Sequence, residues 1–119
     1  MNNLVLAYLG DAAYELYIRE HLINTGLTNV NDLQNASLNY VSAKSQRCIL
    51  EHLENLNIFT EEEQKIIKRG RNASSHKSKN SDIITYKKAT GLECLLGYLY
   101  INNKNRFKEI MEKIVGELC

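Results

Sequence analysis

The chain has 119 residues, 44% of them apolar and 24% charged, with a formal net charge of +1. That length suits one compact domain, residues 1–119, with a single core, and that apolar content excludes intrinsic disorder. The longest apolar run, Leu4 to Leu9, is too short to cross a membrane and carries neither the basic start nor the small-residue site of a signal peptide, so a cytoplasmic protein with no membrane partner is expected. Proline is absent and glycine occurs six times, so few breakers interrupt the helical patterns and an all-α domain is favoured. Cys48, Cys94 and Cys119 form no C-x-x-C pair, and His21, His52 and His76 show no ligand spacing. A disulfide framework or zinc site is therefore not expected, and Cys48 and Cys94 read as small core residues.

The first helix is predicted from about Asn3 to His21 or slightly beyond, stopping before Gly26. Between Leu4 and Tyr14 its only charge is Asp11, in a run that is apolar nearly all round and so expected to be mostly buried. A buried carboxylate needs a cation or good donors, and the first Lys or Arg is Arg19, two turns on. Gly10 is costly inside a helix, by about 1 kcal/mol relative to Ala, and its use would be the close approach of another helix or a ligand. Residues 28–35 are rich in capping side chains and predict a turn or short helix. A longer helix is expected over about 37–55, with Val41, Cys48, Ile49, Leu53 and Leu56 near helical spacing.

Thr60-Glu61-Glu62-Glu63 is a capping-box signature for a helix running to about Arg71. Asn72 to Asn80 reads as a polar loop. A further helix should begin near Asn80 or Ser81 and reach Tyr100 or Ile101, followed by a turn over 102–105. The last helix, about Arg106 to Leu118, would turn Phe107, Ile110, Met111, Ile114 and Val115 inward.

Glu93 repeats the situation of Asp11, a single acid in an apolar helix, with Ala89 and Gly97 one turn to either side. Two such acids are each other's natural companions. Bare carboxylates brought together would push one pKa up, whereas a hard divalent cation would keep both ionised, and Mg²⁺ commonly takes one or two carboxylates plus water and phosphate. The alternative is a pair of buried acids hydrogen-bonded to tyrosine, serine or backbone. Glu15, one turn after Asp11, either assists such a site or pairs with Arg19. From Lys65 to Lys88 there are eight Lys or Arg and one acid, Asp82. A charge run of this kind is either a solvated face or a surface that follows a phosphate backbone.

Four stretches resemble one family. Leu6-Ala7-Tyr8-Leu9-Gly10-Asp11-Ala12-Ala13-Tyr14-Glu15 looks like the signature helix of ribonuclease III, and is closer still to Mini-ribonuclease III, the short form without a double-stranded-RNA-binding domain. Asn39 to Gln46, Lys68-Arg69-Gly70-Arg71-Asn72-Ala73 and the Ala-x-x-x-Glu-x-Leu-x-Gly of Ala89 to Gly97 resemble its later motifs. The resemblance implies a ribonuclease III-like helical domain of six or seven helices that forms a homodimer. It implies a Mg²⁺-dependent endoribonuclease acting on double-stranded RNA and maturing the ends of large-subunit (23S) ribosomal RNA precursor. Asp11 and Glu93 fall on two of the family's four acidic metal positions; Ala7 and Thr90 stand where larger members carry the other two. Lys68, Arg69, Arg71, Asn72, Lys77, Lys79 and Lys87 would contact the duplex through its A-form shape. The rival readings are a non-catalytic RNA-binding or ribosome-associated module on the same fold, and a plain helical interaction protein.

Overall fold

The structure, a computed structural model, describes residues 1–73 and 82–116. Those residues form six helices and no strand: α1 (Asn3–Asn24), α2 (Val30–Val41), α3 (Ala43–Asn55), α4 (Glu61–Ala73), α5 (Ile83–Asn102) and α6 (Lys104–Gly116). Each boundary has a local cause. Asn2 caps α1 by accepting from the Val5 N–H at 2.9 Å, and α1 ends where Gly26 takes φ 99°, a left-handed conformation that suits glycine. Asn29 accepts from Asn31 and Asp32 to begin α2. The expected capping box is present: Glu63 N–H donates to Thr60 Oγ1 at 3.1 Å while Thr60 N–H donates to Glu63 Oε1 at 3.0 Å.

The single helix expected over about 37–55 is two helices. Ser42 is extended (φ −66°, ψ 152°), and its hydroxyl accepts from Ser45 N–H to cap α3. A serine inside an apolar periodicity satisfies a helix start as readily as a helix interior, and here the cap wins. The predicted turn over 102–105 shrinks to Asn103, which lies between α5 and α6.

α5 is the hub, packed against α1, α3, α4 and α6, and its Leu92, Cys94, Leu95 and Leu96 are fully buried. The α1–α5 crossing is backbone on backbone. A Cβ placed on Gly10 would lie 1.8 Å from the Glu93 carbonyl oxygen, and one on Gly97 would lie 1.9 Å from that of Leu6. Gly10 therefore serves helix approach, as its position suggested. α4 meets α5 through a second small-residue contact, where a Cβ on Gly70 would come within 2.6 Å of Cys94 Cβ. Tyr14 stitches α1 to the end of α2: it is fully buried and its hydroxyl donates to the Tyr40 carbonyl at 2.6 Å.

Two expectations about burial are corrected. α1 is not buried all round: Leu4, Val5, Tyr8, Asp11 and Leu16 are exposed, and Tyr8 is 83% exposed. One helix face can lie against α5, and among the described residues nothing covers the other. Cys48 is half-buried and disulfide-bonded rather than a core thiol, whereas Cys94 is a buried free cysteine as expected.

Candidate active site

Asp11 and Glu93 come together where α1 crosses α5. The glycine contact that brings the two backbones together also brings their carboxylates together, since Asp11 follows Gly10 and Glu93 precedes Gly97 by one turn. Their carboxyl groups are within hydrogen-bonding reach. Asp11 is exposed and Glu93 half-buried, so the pair is open on the Asp11 side. Burial, then the Asp11 charge and the hydrogen bond between the two acids, push the Glu93 pKa up to about 8, with a smaller upward push from Glu15. The amide of Gln46 opposes this, its Nε2 donating to Glu93 Oε2 at 3.5 Å. Glu15 also makes the i,i+4 ion pair with Arg19, at 3.9 Å and largely in solvent.

Ala7 and Thr90, which the resemblance sets at the other two acidic positions, are both closed to solvent. Ala7 is buried, and Thr90 is 5% exposed with its hydroxyl donating to the Tyr86 carbonyl at 2.9 Å. Among the described residues no cluster of three or more His, Cys, Asp or Glu side chains could hold a metal. What the crossing offers is two carboxylates in contact, one of which resists ionising alone beside the other. Hard-oxygen donors with a surplus of negative charge and a solvent-facing side fit a Mg²⁺ ion that keeps most of its water.

Gln46 was not singled out as a site residue from sequence, although it closes the Asn39–Gln46 stretch. A neutral amide has no charge signal, and only the packing of α3 against α5 brings it to Glu93.

Basic residues of α4 line two separate cavities. Lys68, Arg71 and Asn72 line a cavity of about 410 Å³ with Asn57, Phe59 and Gln64 between α3 and α4. Arg69 lines another, of about 310 Å³, with Asn3 and Tyr98. Lys87 is half-buried near the start of α5. Lys88 is committed to Glu51, which also accepts from Arg47 at 3.4 Å. Lys77 and Lys79 lie outside the described residues.

The arrangement has known counterparts. The ribonuclease III domain family matches residues 4–104. The Mini-ribonuclease 3 of Enterococcus faecalis is 46% identical over 98% of this chain and 92% of its own length. That of Brevibacillus brevis is 49% identical over 94% of this chain and 84% of its own. A crystal structure of a Fusobacterium nucleatum protein superposes with a TM-score of 0.82 at 31% identity, covering 98% of this chain and 93% of that one. With its helical fold, its paired carboxylates and relatives matched over nearly their whole length, the chain belongs to the ribonuclease III family, in its Mini-ribonuclease 3 group, and is a ribonuclease III-type endoribonuclease.

Proposed function

We propose that this endoribonuclease cleaves double-stranded RNA at the α1–α5 crossing, with Asp11 and Glu93 as the catalytic carboxylates that hold Mg²⁺. The observation that carries the reading is the contact between those two side chains, one exposed and one recessed, in a pair that holds a proton on Glu93 unless a cation takes its place. Bound there, Mg²⁺ supplies an activated water and neutralises charge developing at the scissile phosphate. Asp11 presents its carboxylate to solvent, where a phosphodiester arrives. Glu93 supplies the second negative charge from the helix behind it. Lys68, Arg69, Arg71, Asn72 and Lys87, with Lys77 and Lys79, contact the duplex backbone and set its register without reading bases.

The whole of residues 1–119 acts as one catalytic domain, working in the cytoplasm as a homodimer. Support for dimerisation is the exposed apolar face of α1, with Leu4, Val5, Tyr8 and Leu16. Among the described residues no helix is long and apolar enough to cross a membrane. The resemblance points to large-subunit (23S) ribosomal RNA precursor as the natural substrate. The test is incubation of purified chain with end-labelled duplex RNA, with Mg²⁺ and with EDTA. Mg²⁺-dependent cuts in the duplex and none in single strands are expected. Binding of duplex without cleavage would instead point to a non-catalytic RNA-binding module, and no binding to a plain interaction protein.

A further inference from the structure

The α3 side chain that meets Glu93 is polar, buried and neutral. Gln46 is 2% exposed, and its amide nitrogen lies 3.5 Å from Glu93 Oε2, a long hydrogen bond. A buried amide costs desolvation that an apolar side chain of the same length would not, so its persistence among Ile49, Leu50 and Leu53 calls for a partner. Its position is not adjustable. Gln46 N–H donates to the Ser42 carbonyl at 2.9 Å, Ser42 caps the helix, and Ser45 Oγ donates to the Leu38 carbonyl at 2.9 Å. One turn on, Leu50 is fully buried, so α3 cannot slide against α5 without opening the core.

A charged side chain at this point would act differently from glutamine. A lysine would compete with a cation for the carboxylates, and an acid would add a third negative charge. Glutamine donates a hydrogen bond and does neither. We propose that Gln46 is a positioning residue for Glu93: it ties Oε2 to the rigid start of α3, so that the carboxylate is held toward Asp11 instead of rotating freely. This role rests on the functional reading above. Partners that orient a metal-ligating carboxylate, without touching the ion, typically change affinity or activity by about 10–100-fold.

The test compares wild type with Gln46→Met, which keeps length and removes the donor, and Gln46→Glu, which keeps shape and, when ionised, cannot donate. Four quantities are read: the Mg²⁺ concentration giving half of the Mg²⁺-induced shift in Tm, duplex binding in Ca²⁺, and kcat and KM for duplex cleavage at saturating Mg²⁺. For Gln46→Met the half-saturating Mg²⁺ concentration is expected to rise, and kcat to fall about tenfold or more, with KM and Ca²⁺-supported binding within about twofold. For Gln46→Glu, assayed at a pH high enough to ionise the new buried carboxyl, kcat falls by a similar factor because Glu93 has lost its donor. Should Gln46→Met fail to fold, the kcat of Gln46→Glu decides. A folded variant of either kind with wild-type kcat overturns the role of Gln46 while leaving the functional reading intact. A wild-type chain that neither cleaves nor shifts its Tm with Mg²⁺ overturns that reading, and this role with it.

Discussion

Asp11 and Glu93 share one chemistry and have opposite environments, and their variants should behave accordingly. Asp11 is exposed, so Asp11→Asn removes a charge beside Glu93 without leaving a hole. Cleavage should be lost, by about 10³-fold or more if the metal site is broken, while stability stays within about 0.5 kcal/mol, rising slightly only above about pH 8, where both acids are ionised and repulsion is relieved. Duplex cleavage assays and thermal melts of the same preparation check both. Glu93 carries a pH signature. Its pKa is raised to about 8 in the folded chain, above the ordinary carboxylate value that holds on unfolding. Between those two values the folded state keeps a proton that the unfolded chain has released. The stability this contributes is full below the unfolded value and is lost as pH rises through about 8. Metal-free protein should therefore lose up to about 1.4 kcal/mol per pH unit across this window. Denaturant melts at a series of pH values in EDTA check this; saturating Mg²⁺ or Glu93→Gln should flatten the slope.

At the scale of elements, the site depends on how closely two helices approach. Gly10 and Gly97 permit that approach, because a Cβ at either would overlap a carbonyl oxygen of the other helix. Backbone cannot yield as a flexible side chain can, so Gly10→Ala or Gly97→Ala must push α1 from α5. We expect about 3 kcal/mol or more of destabilisation from each, at the upper end for overpacked cores. Activity should be lost even where a folded fraction survives, since the carboxylates separate with the helices. Gly116→Ala is the control: among the described residues nothing lies within 4 Å of the added Cβ, and stability should hold or improve by up to about 1 kcal/mol. Urea melts of the three variants make the comparison. α6 is held to the loop before α4 by another route. Arg106 donates to Glu63 at 2.8 Å and to the Ile58 carbonyl at 2.8 Å, so the acid that closes the capping box also anchors the last helix.

Two surfaces matter for the whole molecule, and they make separable predictions. Lys68 and Arg71 line the cavity between α3 and α4. Replacing both with Ala should weaken duplex binding about equally for all sequences and reduce the slope of log K against log salt by about 1 for each lost phosphate contact. Filter binding at several salt concentrations reads this, and an unchanged slope would return these residues to a solvated face. On α1, the double substitution Val5→Asp and Tyr8→Asp places two charges on an exposed apolar face without disturbing the core. If the proposed dimer forms through this face, sedimentation velocity is expected to give a dimer for wild type and a folded monomer for the variant.

Much of this molecule was legible from residue order alone. The all-α class, the α4 capping box, the stop at Gly26 and the need for close approach at Gly10 all follow from interactions within a few residues, or from the space a Cβ occupies. The motifs around Asp11 and Glu93 named the family that relatives across nearly the full chain bear out. Tertiary structure alone decided the rest. Hydrophobic periodicity reports apolar positions but not which helix will cover them, so the exposed face of α1 was indistinguishable from a buried one. Ser42 could sit inside a helix or start one, and it starts one where α2 packs on α1 and α3 on α5. Gln46 carries no charge and lies 47 positions from Glu93; only the placement of α3 on α5 makes it a neighbour of the site. Within the basic run, Arg69 lines one cavity and its sequence neighbours Lys68 and Arg71 another, because they project from different sides of α4. Sequence spacing assigns residues to a helix, but which groups converge is settled by the crossing of helices far apart in the chain, and here two glycines set that crossing.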